Sequence, residues 1–243
     1  MAPTILITRP DPAGSVFADQ VRMTLGCGVP VLLSPMMRIE VTGPLPDLSA
    51  IKTLIFTSRN GVGAYLSLGG RLDIESYAVG DATATLAETS GLPTKSCHGD
   101  AGALVRQMKA DRVAGPCLHI RGEHVTGEIV KYLNSAGIET REAVIYKQDA
   151  IPMSDAAKAL LKRESPVILP LFSPRSARLF FAKLELTAPL LVACISEKVA
   201  ACVPEGICKE VKVARRPDAE AVLEMLPELL AIAKQLEGGN RAQ

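Results

Sequence analysis

The chain has 243 residues, 48% hydrophobic and 22% charged, with a formal net charge of +1. That balance fits a globular protein of two ordinary domains and offers no bulk attraction to nucleic acid or anionic lipid. Four Tyr, five Phe and no Trp also disfavour a stacking platform for single-stranded nucleic acid.

In chain order, short β-rich apolar runs alternate with helical patterns, the signature of parallel α/β sheets. Strands are expected at 4–8, 29–33, 53–57, 76–79, 94–97, 117–121, 166–172, 190–195 and 209–213. Helices are expected at 13–25, 60–68, 82–89, 101–110, 125–136, 154–163, 174–183, 197–203 and 218–236. Gly91, Gly137 and Gly206 stand where three of these helices should stop, as left-handed caps. Pro170 inside an apolar run predicts a local irregularity in that strand. The polar tail 237–243 is expected to fray. The opening MAPTILITRP lacks the apolar core of a signal peptide, and no apolar run approaches the ~20 residues of a membrane span. A cytoplasmic location is the expectation.

Two segments break the alternation. Residues 36–42 (MMRIEVT) and 141–148 (REAVIYKQ) are extended, with no helix separating them from a neighbouring strand. They are expected to be connecting strands, 36–42 and 141–150, between a discontinuous domain (1–35 with 151–243) and a second domain (43–140). Two contiguous halves, 1–110 and 111–243, are the alternative.

The chain also repeats itself. IKTLIFTSRNGVGAY from Ile51 is answered by PVILPLFSPRSARLF from Pro166, so that Ser58 and Ser173 lie 115 residues apart. AVGDATATLAETSGL from Ala78 is answered by ACISEKVAACVPEGI from Ala193, again at 115, and PTILITRP from Pro3 by PCLHIRGE from Pro116, at 113. A near-constant offset implies a duplicated α/β unit and a cleft between two like domains.

Parallel α/β sheets bind ligands beyond the carboxyl ends of their strands, where helix N-termini hold carboxylates or phosphates. Six loops have that composition: Thr8–Pro10 with Arg9; Thr57 with Ser58, Arg59 and Asn60; Gly80 with Thr83; Arg121 with Gly122; Ser173 with Arg175 and Ser176; and Ser196 with Glu197. The serines are also ordinary N-caps; what favours binding is the recurrence of hydroxyl plus arginine in both copies. None of the loops reads GxGxxG or GxxxxGK[ST], and no Ser–His–acid set suggests itself. Six cysteines without a CxxC pair read as small apolar residues in a reducing compartment. His119 and His124 lack companions for a metal site. The chain is therefore expected to bind an anion without covalent nucleophile, metal or cofactor.

These motifs resemble those of the uroporphyrinogen-III synthase family. They are ITRP (7–10), IFTSRNGV (55–62), VGDATA (79–84), IRG (120–122), VIYK (144–147), LFSPRSA (171–177), ISEKVA (195–200) and ARRPDAEAVLEML (214–226), in the family's order over almost the whole chain. The resemblance implies two α/β domains on a two-stranded linker and catalysis in the interdomain cleft; with no clear apolar stripe in the sequence, a monomer is the simplest expectation. It implies cyclisation of hydroxymethylbilane, a linear tetrapyrrole with acetate and propionate side chains, to the macrocycle with its last ring inverted and water lost. Loss of hydroxide leaves an azafulvene, which the substrate's own pyrrole attacks through a spiro intermediate, so the protein's work is positioning. Tyr146 matches the family's linker tyrosine and is the implied acid for the departing hydroxyl. A two-domain binder closing on a small anion and a nucleotide-sugar transferase are the competing readings, the latter disfavoured by the missing diphosphate loop.

Overall fold

The structure, a computed structural model, describes residues 2–124, 128–182 and 185–240. Its elements are β1 (Thr4–Ile7), α1 (Ala13–Leu25), β2 (Val31–Leu33), β3 (Met37–Val41), β4 (Thr53–Phe56), α2 (Arg59–Ser67), β5 (Glu75–Ala78), α3 (Asp81–Thr89), β6 (Thr94–Ser96) and α4 (Ala101–Ala110). There follow β7 (Cys117–Gly122), α5 (Ile129–Ser135), β8 (Thr140–Ala150), α6 (Asp155–Leu161), β9 (Val167–Leu171), α7 (Pro174–Phe181), β10 (Leu190–Cys194), α8 (Glu197–Ala200), β11 (Glu210–Val213) and α9 (Ala219–Asn240). The expected start of the fifth helix, 125–127, and the end of the seventh, 183, lie outside the described residues. Gly91, Gly137 and Gly206 have φ of 92°, 80° and 75°, the left-handed conformation that ends a helix cheaply only at glycine.

Two expectations fail at helix ends. The eighth helix stops at Ala200 rather than 203, because Val203 precedes Pro204, whose ring disfavours helical backbone in the residue before it. The last helix runs on to Asn240 through the stretch expected to fray; residues 241–243 lie outside the described residues.

The chain divides into two compact units, Met1–Arg38 with Ala150–Gln243, and Ile39–Asp149. Unit 1 holds a five-stranded sheet in the order β11-β10-β9-β1-β2, and unit 2 a six-stranded sheet in the order β3-β8-β7-β4-β5-β6. The unit 1 pairs, and those from β8 to β6 in unit 2, are parallel. Parallel strands are covered on both faces, so their residues alternate between two cores rather than between core and solvent. In unit 1, Val167, Leu169 and Leu171 join the core under α6, α7 and α8, while Ile168 joins Ile5, Ile7 and the apolar sides of α1 and α9. In unit 2, Leu54 and Phe56 pack with α2 and α3, and Ile55 with α4 and α5.

Pro170 does interrupt the sheet. The β9–β10 ladder continues to Leu171↔Cys194, but the β1–β9 ladder carries only Thr4↔Val167 and Ile5↔Ile168. Leu171 O accepts from Ile195 N on the β10 side, so the neighbouring Pro170 faces β1, where it has no N–H to donate.

The two sheets share one strand order. In unit 1, β2-β1-β9-β10-β11 matches β8-β7-β4-β5-β6 in unit 2, strand for strand along the sequence repeat. Each unit therefore combines strands from both halves of the chain. β3 is joined to the far part of β8: Thr42 N–H donates to Ile145 O at 2.7 Å and Ile151 N–H to Met36 O at 3.1 Å. Partner numbers rise on one strand as they fall on the other, so this pair is antiparallel.

Candidate functional site

In both sheets the connections reverse direction at one place. The chain moves outward from β1 to β2 and the other way from β9 to β10; in unit 2 the same reversal separates β4 from β7. Such switch points open a crevice at the carboxyl ends of the strands, and the predicted loops gather there.

In unit 2, β4 leads into Ser58, the N-cap of α2, whose Oγ accepts from Gly61 N–H at 3.2 Å. The same Oγ lies 2.9 Å from the Tyr146 hydroxyl. Tyr146 is 3% exposed, and its ring lies against Gly122, where an added Cβ would come within 2.5 Å of Cε2. Burial pushes the phenol above its ordinary pKa of 10, opposed by hydrogen bonding to Ser58 and the Gly122 backbone and by the charge of Arg121. The phenol is thus held neutral and able to donate.

Arg121 is turned elsewhere. Its guanidinium grips Glu142 with Nε at 2.9 Å and Nη2 at 2.6 Å, and Nη1 donates to the Gly122 carbonyl at 2.9 Å. This bidentate pair holds Glu142 below the usual carboxylate range, the hydrogen bond from Arg121 being the main cause. Beside it His119, 4% exposed, places Nε2 3.4 Å from Thr57 Oγ1. Burial lowers its pKa to about 4, with Glu142 raising and Arg121 lowering it further. His119, Arg121 and Glu142 face a cavity of about 370 Å³ also lined by Glu128 and Lys131. Arg59 opens α2, half-buried, its pKa lowered by that burial; Asn60 follows it. Gly80 caps α3 with extended backbone and Thr83 is buried in its first turn. The acidic residue there, Asp81, accepts from Ser96 Oγ at 2.5 Å and lies 2.5 Å from His98 Nδ1.

In unit 1, the Arg9 guanidinium lies 4.3 Å above the Phe172 ring, a cation–π contact, and Phe17 meets that ring edge-on at 4.8 Å. Ser173 caps α7, accepting from Ser176 N–H at 3.1 Å and donating to Ser176 Oγ at 2.9 Å. Arg175 is half-buried in the first turn of α7 and Ser176 is buried. Ser196 caps α8 through its backbone, without a side-chain bond.

The structure therefore joins Ser58, Gly122 and Tyr146 in one contact group and Ser173 with Ser176 in another. It turns Arg121 toward Glu142 and Arg9 toward Phe172. The roles of His119, Glu142 and Phe172 were not foreseen, nor was the contact of the loop residue Thr57 with His119. The alternation that sets His119 and Arg121 on one face of β7 was the signal that could have found His119; Glu142 comes opposite it only through the register of β7 and β8.

Among curated proteins, none matches this chain. Among solved structures, the uroporphyrinogen-III synthetase of Helicobacter pylori 26695 is similar with a TM-score of 0.67 at 19% identity, over 94% of this chain and 100% of that one. A mutant uroporphyrinogen III synthase of the extremely thermophilic bacterium Thermus thermophilus is similar with a TM-score of 0.54 at 14% identity, over 96% and 99%. At these identities the likeness establishes the fold. The family described as Uroporphyrinogen-III synthase HemD matches over residues 26–224, most of the chain, and with that match the chain belongs to the uroporphyrinogen-III synthase family.

Proposed function

We propose that the chain closes hydroxymethylbilane to uroporphyrinogen III, with inversion of the last ring and loss of water, and that Ser58 and Tyr146 assist the departing hydroxyl. The family match over residues 26–224 carries the reaction; the 2.9 Å contact between the two hydroxyls carries the assignment. Because the phenol is buried, Ser58 is the member of the pair that meets a ligand. Its Oγ–H donates to the leaving oxygen while Tyr146 O–H donates to Ser58 Oγ, so hydroxide leaves as water and the phenol gives up the proton. The pyrrole's own carbon is the nucleophile, and the proton lost when the closed ring regains aromaticity restores the phenol.

Substrate carboxylates would be held at the switch points by helix N-termini and hydroxyls: Arg59, Asn60, Gly80 and Thr83 in unit 2, and Arg9, Ser173, Arg175, Ser176 and Ser196 in unit 1. Arg121, already paired with Glu142, contributes its field rather than a free fork. A discontinuous domain and its inserted partner, a monomer, and work in the cytoplasm without metal or cofactor complete the proposal. The test is to supply hydroxymethylbilane to the purified protein, oxidise the products and resolve type III from type I uroporphyrin. Type III in excess is expected; type I alone from folded protein would sink the reading.

A further inference from the structure

The β8 strand has consecutive residues in one core. Along its first part the side chains alternate: Ala143 and Ile145 pack with Leu54, Phe56 and Ile120, while Glu142 turns to Arg121 and Val144 is 45% exposed. By that parity Tyr146 belongs on the Glu142 face. It lies instead in the same core as its neighbour Ile145. The register explains the change: β7 and β8 pair residue for residue from Cys117↔Thr140 to Arg121↔Val144, and then Gly122 pairs with Tyr146. One extra residue on β8 reverses the facing of everything after it, as a β-bulge does. Opposite the reversed tyrosine stands the one residue without a side chain, and a Cβ there would overlap Cε2, Cζ and Cδ2 at 2.5, 2.7 and 3.0 Å.

We propose that the β8 bulge and Gly122 form one positioning device: the bulge turns Tyr146 onto the Ser58 face of the sheet, and the bare Cα of Gly122 is the floor on which its ring lies with the hydroxyl at Ser58. Gly122 is then a positioning residue for Tyr146 rather than a contact for substrate. The inference rests on the assignment of Tyr146 to the reaction only for its effect on turnover, not for its geometry.

Gly122→Ala, Tyr146→Phe and the double variant test it, with kcat and KM from the uroporphyrinogen assay and ring signals from protein carrying 13C-labelled tyrosine. The chain has four tyrosines, so the Tyr146 signal is identified by its loss in Tyr146→Phe. Gly122→Ala is expected to shift that signal while Tyr65, Tyr77 and Tyr132 stay, and to lower kcat at least about fivefold with KM within about twofold. In the Tyr146→Phe background it should lower kcat no further. An unmoved Tyr146 signal overturns the proposal, as do kcat losses that multiply in the double variant. A shifted signal with full kcat in Tyr146→Phe keeps the positioning device and removes Tyr146 from the chemistry. If Gly122→Ala does not fold, Gly122→Ala with Tyr146→Ala must restore folding; a double variant that stays unfolded also overturns it.

Discussion

Ser58 and Ser173 hold their helices with nearly identical backbones, φ −154° and ψ 154° against φ −154° and ψ 148°, and each accepts from the N–H three residues on. Around that shared cap the two units diverge along the repeat. Where unit 2 has Gly122, unit 1 has Arg9; where unit 2 has Thr57, unit 1 has Phe172; where unit 2 has His119, unit 1 has Leu6. One crevice thus carries a cation laid on an aromatic ring, and the other a buried phenol on a bare glycine. The duplication supplied two equal frames that differ at these three positions; under the proposed function, carboxylate holding would fall to one side and proton donation to the other.

The largest expected effect comes from putting the unit 1 residue into unit 2. His119 is buried and neutral, with a pKa lowered to about 4 against about 6.5 unfolded. A depressed pKa in the folded state means the unfolded chain binds the proton more readily. Its contribution is therefore fully present above about pH 6.5 and lost as pH falls through 4. The span is about 3 kcal/mol at most. In His119→Leu that part of the acid destabilisation should vanish, measured by urea unfolding at pH 7, 5.5 and 4. A slope as steep as in the parent would move the effect to carboxylates such as Glu142. Next, Tyr146→Phe should slow kcat by more than about tenfold, or ~1.4 kcal/mol of barrier, leaving KM nearly unchanged. Unchanged kcat would reduce Tyr146 to a packing residue.

The sequence periodicities make the layers legible because strands covered on both faces read as unbroken apolar runs, and every expected strand is present. Which strands pair is a different matter. The local pattern of β1 is satisfied equally by any parallel neighbour, so the crossing of the two halves, with β1 and β2 beside β9 to β11, is not written in any window. The site was legible in the same measure. Ser58 and Ser173 announce themselves as caps before helical runs. The facing of Tyr146 does not, because one extra residue on β8 reverses a parity that alternation alone would assign to the Glu142 side. Nor does the Arg121–Glu142 pair, which depends on a register between strands about twenty residues apart.

The two serines give the third test of the division. Each cap is worth about 1 kcal/mol of stability, so Ser58→Ala and Ser173→Ala should lower the unfolding free energy by similar amounts. Only Ser58→Ala should also lower kcat, by about three- to tenfold, since only Ser58 touches the phenol. Equal kcat losses from both would show that the serines act merely by holding helices.

The smallest effect is expected at Arg9, and it decides the character of unit 1. Its contact with Phe172 is worth about 0.5–1 kcal/mol at a partly exposed site, so Arg9→Ala should cost little stability. If the guanidinium holds a substrate carboxylate, KM should rise about three- to fivefold while kcat and the ratio of type III to type I product stay as they were. Arg9→Lys keeps the charge but not the flat face that stacks on the ring, and should recover part of the KM. The opposite pattern, kcat falling with KM unchanged, would place Arg9 on the reacting atoms. The proton-donating role would then not belong to the Ser58–Tyr146 crevice alone.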